Sequence, residues 1–343
     1  MTGTPEKAAT WTGRTRVGAR GPGTSALGMG TWAIGGPWTS NGRAAGWGDV
    51  DDDVSVRTVH ASAEAGVRLF DTADCYGAGH SERVLGRALK ALPQSVRSDI
   101  TVATKFGNVF DEASRAGGGT DLTPAGIRRA CAASLRRLGV EAIDVYQLHP
   151  GVTEPAEAEE VVAVLEELAD EGKVRWYGTS CDDPEVVRLF GRAPRAVSVQ
   201  TQLNVFGGTG RVLDEARTGG LGVLARTPLA MGLLGGRYGT THRPAPGDVR
   251  LDTPYWDYFD EATMPAWLDR LTAVRELLTS DGRTLAQGSL CYLWGLSPEI
   301  IPIPGARTPQ QAEENAKALA HGPLEESVVA EIDALLADSP ERR

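Results

Sequence analysis

Apolar positions along the chain fall into short runs of period two, separated by longer stretches whose apolar positions recur about every 3.6 residues. Strand-like runs cover residues 25–32, 67–71, 100–105, 143–149, 174–180, 196–200, 221–226 and 300–304. Helical patterns lie between them at 54–65, 81–91, 124–138, 157–171, 184–190, 210–218, 264–279 and 309–320, with one more at 324–337. Strict alternation of strands and helices predicts an α/β fold, a parallel (β/α)8 TIM barrel with an additional C-terminal helix packed outside it. A single domain is expected over residues 1–343, with residues 1–22 as an N-terminal extension. Three irregular stretches, 35–48, 108–121 and 235–265, each follow a strand, which predicts long loops over the C-terminal mouth of the barrel.

Several strands end in residues that a buried strand should avoid. In GVRLFDTADCYGAGHSERVLG (66–86), Val67, Leu69 and Asp71 share one face, so a carboxylate continues a line of apolar side chains. Tyr76 follows in a Gly-rich loop that opens a helix. The run ITVATK ends in Lys105 on the face of Thr101 and Ala103, and IDVYQLH ends in His149 on the face of Val145 and Gln147. Alone, Asp71 could cap a turn and Tyr76 could be a loop aromatic. The recurrence of polar strand ends argues for a site, because a buried charge or ring nitrogen is costly without partners. Lysine is also scarce, five against 30 arginines, so a need for charge alone would more often have been met by arginine.

Composition narrows the functional classes. A net charge of −10 and a pI near 5.1, with no cluster of Lys and Arg, argue against a nucleic-acid partner. No stretch approaches the about 20 apolar residues of a membrane span, and MTGTPEKAAT lacks an apolar signal core, so a cytoplasmic protein with no membrane partner is expected. Cys75, Cys131, Cys181 and Cys291 are scattered without CxxC spacing, which favours reduced thiols, gives little support to a structural zinc site, and leaves no metal expected. Nothing in the sequence specifies an oligomeric state.

A tyrosine, a lysine, a carboxylate and a histidine at one barrel mouth suit proton donation to a carbonyl oxygen. The ammonium of Lys105 should lower the pKa of Tyr76, Asp71 should hold the ammonium charged, and His149 should donate a hydrogen bond to the carbonyl. None of these groups can reduce anything, so a hydride donor must come from a nicotinamide cofactor. No GxGxxG follows a first strand, so a Rossmann domain is not its carrier. Trp32, Trp47, Tyr76, Phe106 and His149 are the expected lining of the pocket for a small-molecule carbonyl substrate. Trp38 and the aromatics of 235–265 are further candidates for its walls.

The motifs DTADCYG with GHSERVLGRAL, ATKFG, DVYQLHP, WYGTS and IPIPGARTPQQAEEN, in this order along nearly the whole chain, resemble those of the aldo-keto reductase superfamily. The resemblance implies hydride transfer between a nicotinamide and an aldehyde or ketone, with Asp71, Tyr76, Lys105 and His149 as catalytic tetrad and Tyr76 as general acid. It also implies a cofactor site of Thr31, Trp32, Ser180, Gln200, Arg226, Leu229, Gly305, Arg307, Gln311, Glu314 and Asn315, with Ser180 and Gln200 at the nicotinamide carboxamide and the last five at the adenosine end. Cys181 stands where many members have Asn, and Arg226 where an aromatic often stacks on the ring. Arg307 could pair with a 2′-phosphate, which favours NADP(H) over NAD(H). Three alternatives compete: a Schiff-base lyase using Lys105, a metal-dependent hydrolase using Asp71, Asp74, His80 and His149, and a cofactor-sensing subunit on the same barrel.

Overall fold

A computed structural model describes residues 11–150, 154–208, 210–239, 242–244, 248–251, 253 and 255–338. Its core is a ring of parallel strands: β1 (Gly28–Gly30), β2 (Leu69–Asp71), β3 (Thr101–Phe106), β4 (Ile143–Leu148), β5 (Val174–Thr179), β6 (Ala196–Asn204), β7 (Gly222–Arg226) and β8 (Ile300–Pro302). Each pairs with its sequence neighbour, and a single parallel bridge between Gly30 and Gly305 joins the last strand to the first. The seam demands glycine, since a Cβ on Gly30 would lie 2.9 Å from the Ile303 carbonyl oxygen. Leu69, Ala103, Val145, Leu224 and Ile301 fill the inside of the ring, as period-two alternation requires. Val17, from a hairpin of Arg14–Arg16 and Gly23–Ser25, joins this inner core.

The surrounding helices are α1 (Asp52–Glu64), α2 (His80–Ala91), α3 (Pro124–Leu138), α4 (Pro155–Asp170), α5 (Pro184–Arg192), α6 (Gly210–Gly219), α7 (Leu285–Leu296) and α8 (Pro309–His321). Local sequence sets their ends. Thr123 accepts a hydrogen bond from Gly126 N and Pro124 follows it, so α3 starts there, and Gly139 in the left-handed region stops it. The sequence pattern missed α7 and cast 264–279 as the helix between the seventh and eighth strands. In the structure α7 packs on the barrel, while the helix Met264–Thr279 and the C-terminal Glu326–Leu335 lie against it from outside. From Leu285 to Trp294 every residue of α7 is buried, which explains why no polar face marks it as a helix.

Two of the long loops are more regular than expected. Residues 108–121 form a hairpin, Asn108–Asp111 with Ala116–Thr120, whose second strand pairs in parallel with Thr39–Ser40 of the first loop. The two loops thus share a small four-stranded sheet beside the mouth. Of 235–265, residues 240–241, 245–247, 252 and 254 lie outside the described residues, as do residues 1–10 of the N-terminal extension. Among the described residues no helix is long and apolar enough to cross a membrane.

Candidate active site

Asp71 ends β2, Lys105 stands one residue before the end of β3, and His149 follows β4, so strand register alone brings three ionisable side chains to one rim. Asp71 is 2% and Lys105 0% exposed. Lys105 Nζ donates to Asp71 Oδ2 at 2.7 Å, to the Thr72 carbonyl at 2.8 Å and to the Tyr76 hydroxyl at 3.2 Å, so all three ammonium protons have acceptors. The second carboxylate oxygen, Asp71 Oδ1, accepts from the side-chain amides of Gln200 at 2.8 Å and Gln147 at 3.2 Å. Gln147 was legible only as a polar residue on the inner face of its strand. Tyr76 is carried on the loop between β2 and α2, and its ring meets that of His149 edge-on at 5.8 Å.

Burial works against the charge of Lys105, yet Asp71 and the nearby phenol outweigh it and hold the ammonium above its ordinary pKa. The expectation of an acidified Tyr76 is corrected. Desolvation exceeds the pull of Lys105 and pushes the phenol up to about 12, so it stays protonated at neutral pH. His149 is driven well below its usual 6.5, first by burial and then by Lys105 and Arg226, so it is a neutral imidazole. Its Nδ1 lies 3.6 Å from Cys75 Sγ.

Aromatic rings wall the space above Tyr76. Trp32 stacks on it at 5.9 Å, and Trp47 and Trp256 meet Trp32 edge-on at 5.4 and 6.1 Å. Trp256 was one of several aromatics in a loop whose course is not written in its pattern. Phe106, expected in this pocket, is elsewhere: since Lys105 points in, Phe106 points out, fully buried between barrel and helices against Tyr146 at 4.4 Å. His80 joins neither His149 nor Asp71; it bonds the Gly35 carbonyl at 2.9 Å and pairs with Asp52.

The residues expected at a cofactor separate into two groups. Thr31 is fully buried, its hydroxyl engaged with the Asp71 carbonyl at 3.0 Å and Ser81 at 2.8 Å, so it supports the site from beneath. Gln200 donates to Asp71, Ser180 follows the end of β5 with its N–H on the Leu148 carbonyl, and the next residue, Cys181, is a buried thiol raised to about 11 by desolvation. Arg226 is paired with Asp182. The turn beyond it holds Thr227, Ala230 and Met231 in the left-handed region, a strained stretch that includes the half-buried Leu229. At the far end, Arg307 precedes α8, whose Thr308 cap accepts from Gln311 N. Arg307 donates to the Trp47 and Asp49 carbonyls at 3.1 and 2.7 Å, and its own N–H to Gln311 Oε1 at 2.8 Å. Asn315 reaches back to the Gly305 carbonyl, and Glu314 is half-buried one turn into α8.

This donor set fits a nicotinamide dinucleotide: an amide and a hydroxyl at the barrel mouth for a carboxamide, and a guanidinium beside a helix N-terminus for phosphate. Barrel and donor set together define the class, an NAD(P)H-dependent oxidoreductase. The chain belongs to the aldo/keto reductase family, whose model matches residues 26–337. It is 32% identical over 306 residues to the NADH-specific methylglyoxal reductase of Escherichia coli (strain K12), covering 86% of this chain and 90% of that one. A glycerol dehydrogenase structure from Gluconobacter oxydans superposes with a TM-score of 0.80 at 32% identity, covering 96% of this chain and 97% of that one. The holo form of an aldo-keto reductase from Bacillus halodurans gives 0.73 at 27%, covering 96% and 99%.

Proposed function

We propose that the protein reduces the carbonyl of a small aldehyde or ketone with NADPH, and that Tyr76 gives the proton to the carbonyl oxygen. Reduced nicotinamide, when bound, supplies the hydride. Neutral His149 donates a hydrogen bond that places the oxygen beside the Tyr76 hydroxyl, and Lys105 stabilises the phenolate left when the proton moves. Asp71 keeps Lys105 charged and aimed, with Gln147 and Gln200 holding the carboxylate in turn. The observation that carries this reading is the Asp71–Lys105–Tyr76 chain of 2.7 and 3.2 Å, with Asp71 and Lys105 buried and Tyr76 half-buried at the mouth. A lysine so paired is a poor nucleophile, which speaks against a Schiff-base lyase.

The walls of Trp32, Trp47 and Trp256 favour a short substrate, in keeping with the methylglyoxal reductase and glycerol dehydrogenase among its relatives. Arg307 at the head of α8 favours the 2′-phosphate of NADP(H), although the E. coli relative is NADH-specific. Four buried cysteines without CxxC spacing suit a cytoplasmic location. The test is NADPH oxidation across a panel of short aldehydes, ketones and keto-sugars. Tyr76→Phe is expected to lower kcat/KM by about 10²–10⁴. Full activity in that variant overturns the proton-donor assignment, and tight NADPH binding without turnover of any carbonyl identifies a sensing subunit.

A further inference from the structure

Next to His149, which the proposed reduction uses, stand two buried side chains for which it has no use, Asp74 and Cys75. Asp74, Cys75 and His149 come from the β2–α2 loop and the end of β4, and one ligand atom from each lies within 4.8 Å of the others. We infer that these three residues form a binding site for a thiophilic divalent cation of the zinc type, at the floor of the active site. This goes beyond the proposed function and does not depend on it.

Three observations support the site. The 3.6 Å between Cys75 Sγ and His149 Nδ1 suits a weak thiol contact. It is also the separation that two ligands acquire on one tetrahedral ion, since bonds of about 2.3 and 2.1 Å at about 109° place sulfur and nitrogen about 3.6 Å apart. Asp74 is 2% exposed, and its Oδ1 has no hydrogen-bond partner among the described residues, an arrangement that costs free energy. Finally, the neighbouring charges cancel in pairs, Asp71 with Lys105 and Glu82 with Arg137 at 2.6 Å. A Cys75 thiolate and an Asp74 carboxylate would then be the two negative charges that a dication neutralises. On binding, Cys75 releases its thiol proton to solvent, and His149 coordinates through unprotonated Nδ1 while keeping its proton on Nε2. The widest pair of ligand atoms must close by roughly 1 Å, within reach of a side-chain rotation of Asp74. Three protein ligands leave a fourth position for water.

Cobalt(II) titration of the full chain tests the site. A thiolate-to-cobalt charge-transfer band with tetrahedral d–d transitions is expected, at one ion per chain and displaced by zinc. Cys75→Ser should abolish the band, Asp74→Asn should weaken binding at least tenfold, and Cys181→Ser should change neither. Absence of the band, or its persistence in Cys75→Ser, overturns the proposal. Should the Cys75 variant not fold, zinc X-ray absorption on the unaltered protein decides the matter: a single sulfur near 2.3 Å with nitrogen and oxygen neighbours supports the site, and a shell without sulfur refutes it.

Discussion

Burial pushes the Tyr76 phenol up to about 12 against the pull of Lys105, so the phenol keeps its proton across the neutral range. In the proposed mechanism its neighbour, the Lys105 ammonium 3.2 Å away, lowers the energy of the phenolate at the moment it forms. The sign of the pH dependence follows. The proposed mechanism needs protonated Tyr76, a form lost only as pH climbs toward about 12, and neutral His149, a form lost only as pH falls well below 6.5. kcat/KM for carbonyl reduction should therefore be flat through the neutral range, while the reverse oxidation, which needs phenolate, should gain with rising pH. An acid-side loss centred near 6.5 that disappears in His149→Asn would show that the imidazole titrates as if exposed. Asp71, Lys105 and His149 were legible as candidates because a polar residue closing an apolar strand breaks its own pattern. The state of Tyr76 was not, since it depends on how much water neighbours from distant segments exclude. Phe106 was misplaced although the signal was present: in a strand, the residue next to an inward lysine points away from the site.

At the scale of elements, regular amphipathic pieces were readable almost to their ends and uniformly buried ones were not. Helix α3 has a Thr cap, a Pro at its first position and a Gly after its last, all written locally. Helix α7 has no solvent face, so its apolar run carried no 3.6-residue contrast, and its partner depends on contacts across the chain. Where α7 crosses the end of the Met264–Thr279 helix, a Cβ on Gly288 would lie 1.9 Å from the Leu278 carbonyl oxygen. Backbone cannot retreat as a flexible side chain can. Gly288→Ala should thus destabilise the protein by about 2–3 kcal/mol, as overpacked cores do, measured by urea unfolding. Wild-type stability in that variant would mean that the two helices are not in such close contact. The hairpin within 108–121 escaped notice for another reason: its strands are rich in glycine and pair with another loop, so neither burial nor alternation announces them.

Taken as one molecule, the barrel mouth is bordered by segments that hold one another. Arg307, from the last βα connection, ties down the Trp47 and Asp49 carbonyls of the first loop. Arg250, from the stretch after β7, is buried with Asp248 and lies over the rings of Trp47, Tyr238 and Phe259 at 4.7–5.3 Å. Trp47 is where these tethers meet, and no local pattern could disclose that. Because Arg307 is also the cation proposed for the 2′-phosphate, Arg307→Ala should reduce the preference for NADPH over NADH in kcat/KM by about 10–100-fold, the worth of a charge-assisted pair of bonds. The ratio of the two kcat/KM values checks it, and an unchanged ratio assigns the phosphate to another group.

The bridge from Gly30 to Gly305 gives the barrel the character of a hoop fastened at one clasp. That clasp sits two positions before Arg307, in the segment on which the dinucleotide would lie. With the dinucleotide on that segment, as proposed, coenzyme binding would add its own free energy to the closed hoop, so a protein saturated with coenzyme should melt at a higher temperature than the same protein without it.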